Sequence, residues 1–123
     1  MQWLAIAAGG AIGALLRYGM SNGVYALAGR GFPYGTLAVN VLGSLLMGIL
    51  FVLLIERLDT GPALRAFWLI GLLGAFTTFS TFSIETLNLV ESGETLKALG
   101  NVLLSVLLCV GAAALGVLAG RQL

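Results

Sequence analysis

Three polar side chains, Thr36, Asn40 and Ser44, recur at four-residue intervals inside the uncharged run Gly31–Ile55. On a helix that spacing lines them down one face. A second stripe, Asn101, Ser105 and Cys109, repeats the interval inside Ala98–Gly120. Carboxamides and hydroxyls donate and accept hydrogen bonds without net charge, so each stripe suits either bonding to a neighbouring helix or lining a pathway. A third segment reads Gly71-Leu72-Leu73-Gly74-Ala75-Phe76-Thr77-Thr78-Phe79-Ser80-Thr81-Phe82-Ser83-Ile84-Glu85. Its two glycines and its β-branched hydroxyl residues weaken a regular helix around Gly74–Thr78. Where a membrane helix breaks, the freed carbonyls and amides must be buried in protein or line a cavity, and such breaks commonly coordinate ions. The alternative is an intact or kinked helix whose Ser and Thr bond back to their own carbonyls. Phe79 and Phe82, at i and i+3, ordinarily read as core packing. Arg17 follows Gly9 and Gly13 at intervals of four, so two small residues and a cation share a face. Counted from Leu4 at about 1.5 Å per residue, it lies roughly 20 Å along a span that crosses about 30 Å of hydrocarbon. There it either snorkels to the interface or stands at the mouth of an anion pathway.

The elements that must carry these residues follow from composition. Of 123 residues 59% are hydrophobic and only 9% charged, with a mean hydropathy of +1.06, whereas a soluble domain carries about a quarter charged residues. The bilayer is the solvent for such a chain. Uncharged runs at Met1–Leu16, Gly31–Ile55, Ala66–Ile84 and Ala98–Gly120 supply four spans, each needing roughly 20 residues. The first reaches that length by including Arg17 and continuing toward Ala28. The expectation is one all-α membrane domain over 1–123, with spans near 3–28, 35–55, 66–90 and 96–119 and the third helix broken mid-membrane. Phe32-Pro33-Tyr34-Gly35 reads as a turn with aromatics at interface level, and Gly116-x-x-x-Gly120 as a helix-packing motif.

Several function classes are disfavoured. The apolar start lacks the basic region of a signal peptide. A single cysteine, Cys109, excludes an internal disulfide, and one Cys without any His gives little basis for zinc or haem. A net charge of +1 does not suggest nucleic acid. No loop exceeds about a dozen residues, so an enzyme acting on a soluble substrate has nowhere to place its site. Function lies within the helices.

Charge in the loops bears on orientation. With four spans, Arg57, Arg65 and Arg121 fall on one side of the membrane and Arg30 and Lys97 on the other, three against two. Such a weak bias hardly fixes topology, so copies either insert both ways and meet as an antiparallel pair or share one weakly favoured orientation.

The segments Gly9 through Tyr18, Gly35 through Gly43, and Gly71 through Phe82 ending Thr77-Thr78-Phe79-Ser80-Thr81-Phe82 together resemble the Fluc fluoride-channel family, also called CrcB, over nearly the whole chain. The resemblance implies a multi-pass protein of the cytoplasmic (inner) membrane that exports fluoride passively and so relieves its toxicity. It also implies an antiparallel, dual-topology homodimer with two pores between the subunits and one structural sodium ion at the centre. By similarity Phe79 and Phe82 are the paired pore phenylalanines, Asn40 is the pore amide, and the carbonyls of Gly74 and Thr77 hold the sodium. Thr36, Ser44, Thr81, Ser105 and Arg17 complete the expected fluoride pathway, with Asn101 and Cys109 beside Ser105 on the fourth span. Cys109 departs from the hydroxyl expected there. Fluoride is strongly hydrated, so donors must replace its water. The Asn40 amide, the hydroxyls and the positive edges of the phenylalanine rings are such donors.

Two other function classes share part of this pattern. A small multidrug exporter also has four short helices, but it needs a deep carboxylate, usually in its first span. Here that span carries Arg17, and the only candidate acid is Glu85 at the end of the third. A non-transporting assembly subunit would use the glycine faces, yet it has no need for two polar stripes.

Overall fold

A computed structural model describes Met1–Leu123 as an all-helical chain. Four helices are long and apolar enough to cross a membrane: Gln2–Ala28, Tyr34–Arg57, Pro62–Glu91 and Thr95–Gln122. The first is α1 (Gln2–Ala28), which stops where Gly29 takes a positive φ of 83° and returns its N–H to Tyr25 O. Glycine adopts that conformation without a Cβ penalty. Pro33, whose ring sets φ and removes a donor, precedes α2 (Tyr34–Phe51). That helix runs on as a π-helical stretch, Val52–Arg57. Pro62 opens α3 (Pro62–Arg65) at a position where a missing N–H is harmless. A second π-helical stretch, Ala66–Leu72, leads into α4 (Leu73–Phe76).

After Phe76 the chain leaves helix for two residues. Thr77 (φ −92°, ψ 156°) and Thr78 (φ −151°, ψ 118°) are extended, and α5 (Phe79–Glu91) begins at once behind them. Thr78 caps the new helix, its Oγ1 accepting from Thr81 N at 3.2 Å. The chain turns at Ser92 and Gly93 into α6 (Thr95–Gln122).

Packing is built on close backbone approach rather than on large side chains. A Cβ at Gly9 would meet Phe67 O, and one at Gly13 would meet Leu72 O. The neighbour sought by the glycine face of α1 is therefore the π-helical stretch of the third span. In the same way Gly48 of α2 faces Ala113 O of α6, and Gly116 faces Leu45 O. In lipid, where apolar burial gives no advantage between helices, such small-residue contacts drive association. Only 22 of the 123 residues are buried, and α6 turns Leu103, Leu107, Val110 and Leu118 outward. Those faces need a hydrocarbon or protein surface against them.

The two ends of the bundle are tied differently. At one, Arg57 Nη1 donates to Gly120 O and Arg121 O, both at 3.1 Å, and closes the C-terminal turn of α6. Arg121 pairs with Glu56 at 3.3 Å and Arg65 with Asp59 at 2.7 Å. At the other end Lys97 Nζ donates to Gly31 O at 3.1 Å, joining the 29–34 and 91–97 loops.

Candidate functional site

The two polar stripes converge because α2 and α6 pack side by side through Gly48 and Gly116. Between them and the extended pair of the third span lies a cavity of about 380 Å³. Asn40 and Ser44 reach it from α2, Ser105 and Cys109 from α6, and Phe79 and Phe82 from α5, with Thr77 and Thr78 at its wall. No ionised side chain lines it. An ion there would meet amide and hydroxyl dipoles, the two phenylalanine rings and the apolar side chains of Met47, Val106, Val110 and Ala113. The Phe79 and Phe82 centroids lie 5.3 Å apart with the ring planes inclined at 41°. Phe82 is 9% exposed and Phe79 77% exposed, so one ring belongs to the core of the chain and the other projects from it.

Asn40 is engaged with the extended segment. Its Oδ1 accepts from Thr78 N at 2.8 Å and its Nδ2 donates to Thr78 O at 3.0 Å. A primary amide carries two N–H groups, so one is left over beside the cavity. Thr78 N is the group that would close a helical turn onto Gly74 O, and Thr77 O receives no backbone N–H. Two oxygens on the third span are thereby released from the helical ladder, the arrangement expected of a carbonyl site for a cation. Thr77 Oγ1 bonds back to Leu73 O at 3.0 Å, and Arg17 Nε donates to Ala75 O at 3.0 Å.

Three residues expected along the pathway do not line the cavity. Thr36, one turn before Asn40, is buried 3.5 Å from the Tyr25 hydroxyl. Thr81 Oγ1 accepts from Thr78 Oγ1 at 3.1 Å and so belongs to the cap of α5. Arg17 reaches backbone, not the cavity. On α6, Asn101 is buried one turn away, donating to Thr86 Oγ1 at 2.9 Å and accepting from Ser105 Oγ at 3.5 Å.

Two features have no signal in the sequence. Thr78 is held through its backbone, which its residue type does not announce. Tyr25 donates to Glu85 Oε2 at 2.9 Å across sixty positions of chain, and Glu85 Oε1 is buried without a partner. This pair sits in a second cavity of about 490 Å³ with Arg30 and Lys97 on its wall, Arg30 stacking 4.6 Å above the Tyr25 ring.

Residues 4–117 match the family described as CrcB-like protein, Camphor Resistance (CrcB). The chain is 60% identical over 121 residues to a Magnetococcus marinus protein named fluoride-specific ion channel FluC, covering 98% of each. It is 56% identical over 124 residues to a Coxiella burnetii protein of that name, covering all of both. A Geobacter sulfurreducens protein of the same name is 52% identical over 120 residues, with 98% of this chain and 97% of that one covered.

Proposed function

The chain belongs to the CrcB-like protein family, and from that membership we propose that it is a fluoride-specific channel through which fluoride leaves the cell passively. It acts in the cytoplasmic membrane and lowers fluoride toxicity there; it catalyses no reaction. The observation that carries this reading is the convergence of Asn40, Ser44, Phe79, Phe82 and Ser105 on one cavity without an ionised side chain. A small, strongly hydrated anion gives up its water only to replacement donors. The spare N–H of Asn40, the Ser44 and Ser105 hydroxyls and the edges of the two rings are such donors, each too weak alone to trap the ion. Thr36 and Thr81 belong to the frame of the pathway, and Arg17 to the support of the third span.

The working unit in this reading is an antiparallel homodimer of dual topology. A phenylalanine 77% exposed at the edge of the cavity calls for a second surface to complete the path, and the three-to-two split of basic loop residues permits both orientations. The third span is read as broken at the bilayer centre. A sodium ion fits the carbonyls of Gly74 and Thr77, because both oxygens lie outside the helical ladder. Its positive charge would hold the two breaks together.

Reconstitution into liposomes loaded with potassium fluoride tests the function directly. Valinomycin should release fluoride to an external electrode while a parallel chloride load stays inside. Fluoride efflux no faster than from empty liposomes, or equal passage of chloride, would overturn the reading.

A further inference from the structure

The amide of Asn40 faces the backbone of one extended residue in a way few side chains can. In an extended strand the N–H and C=O of one residue point to the same side, as in a hydrogen-bonded antiparallel pair. Thr78 has that conformation, and Asn40 answers both groups at 2.8 and 3.0 Å. A carboxamide presents a donor and an acceptor side by side at any pH. A carboxylate offers acceptors alone, and a hydroxyl has one atom for both tasks. The reach is fixed as well: Gly43, one turn further along α2, is so close to the break that a Cβ there would meet Thr77 Cγ2.

What the clamp holds is the residue from which the ring pair departs. Thr78 caps α5, and Phe79 is the first residue of that helix. Fixing the Thr78 backbone fixes where α5 starts and hence the direction of Phe79 and, one turn on, Phe82. We propose that Asn40 is a positioning residue that sets the Phe79–Phe82 ring pair through the Thr78 backbone, leaving a single N–H of its amide to meet the anion. This deepens the fluoride-channel reading and rests on it for the part that concerns conduction.

The test separates the two. Amide exchange and aromatic proton shifts are measured by NMR on the dimer in nanodiscs without fluoride, and unit fluoride currents in planar bilayers. In the native protein the Thr78 amide, which has no backbone partner, should be protected. In Asn40→Ala it should exchange at least tenfold faster, the ring protons of Phe79 and Phe82 should shift, and unit current should fall tenfold or more. A loss of stability alone would reduce the number of channels and leave unit current as it was. Asn40→Asp retains an acceptor for Thr78 N–H but sets an oxygen against Thr78 O, so its ring shifts should resemble those of Asn40→Ala. Unchanged Thr78 exchange and ring shifts in Asn40→Ala, with current lost, would mean that Asn40 acts on the anion alone and would overturn the proposal. So would altered exchange with native unit current. If the alanine variant does not fold, rapid exchange of Thr78 in the native protein is sufficient to refute the clamp. Absence of fluoride current in the native protein would sink the channel reading, while exchange and ring shifts still decide whether the clamp sets the rings.

Discussion

Arg17 and Ala75 join the first span to the third: Nε of Arg17 donates to the Ala75 carbonyl at 3.0 Å. Ala75 lies in the short helix α4, just before the extended pair, where terminal carbonyls lack helical donors and carry partial negative charge. A guanidinium answers both needs. Removing it with Arg17→Met, which keeps an apolar stem, should destabilise the protein by about 1 to 2 kcal/mol. That range lies between the ~0.6 typical of interhelical bonds in membranes and the ~3 of a bond to a charged group. Arg17→Lys should recover only part, since a lysine lacks the planar Nε donor. Denaturant unfolding in mixed micelles measures both. Native stability in Arg17→Lys would show that a snorkelling charge is all the site requires.

Gly13 lies against the backbone of Leu72, whose carbonyl a Cβ would strike. A backbone atom cannot swing aside as a side chain can, so Gly13→Ala should separate α1 from the third span and cost roughly 1 to 3 kcal/mol. Gly19, on the same helix, has nothing within 4 Å of a built Cβ. Gly19→Ala should leave the fold of the chain unaffected, and a small gain from helix propensity is expected. The two variants, compared by thermal unfolding in one detergent, should differ clearly. Equal behaviour would show that close approach at Gly13 is not what holds the helices.

How far these relationships were legible in the sequence depends on their range. The four apolar spans follow from charge spacing, because a charge in hydrocarbon is expensive and punctuates the chain. The stripes of Asn40 with Ser44 and of Ser105 with Cys109 follow from helical periodicity, which fixes who shares a face. Periodicity does not say which turn of a stripe meets which turn of its neighbour. Thr36 and Asn101 therefore lie on the right faces and yet one turn outside the cavity, bonded to Tyr25 and Thr86. The Tyr25–Glu85 bond joins the end of α1 to α5 and exists only after the helices are packed. Likewise the π-helical stretches at Val52–Arg57 and Ala66–Leu72 have no signature in the spacing of apolar and polar residues.

That Tyr25–Glu85 bond can be tested by itself. Tyr25→Phe keeps the ring on which Arg30 stacks and removes the one donor to a carboxylate whose other oxygen is already buried and unpartnered. A buried polar group left without a partner costs about 1 to 3 kcal/mol. The variant should lose stability on that scale, and Tyr25→Phe combined with Glu85→Gln should lose less than the two changes added separately. Strict additivity in the double-mutant cycle would show that the pair contributes no coupling.

The two phenylalanines make unequal contributions to the fold, and the inequality separates solvation of an ion from packing. Phe82 is 9% exposed, so Phe82→Leu, which removes ring volume from a buried site, should cost about 1 to 2 kcal/mol. Phe79 is 77% exposed, so Phe79→Leu should leave the chain nearly as stable as before. Fluoride flux should nevertheless collapse in both, because an aliphatic side chain has no positive edge to offer an anion. Tyrosine at either position keeps the ring and should retain some flux. Phe79→Leu is the sharper case, since its stability is expected to be native and a loss of transport cannot then be assigned to unfolding. Liposome efflux measured beside the yield of folded protein on gel filtration gives both quantities from one preparation. Native flux in Phe79→Leu, with the folded protein intact on gel filtration, would take the exposed ring out of the pathway.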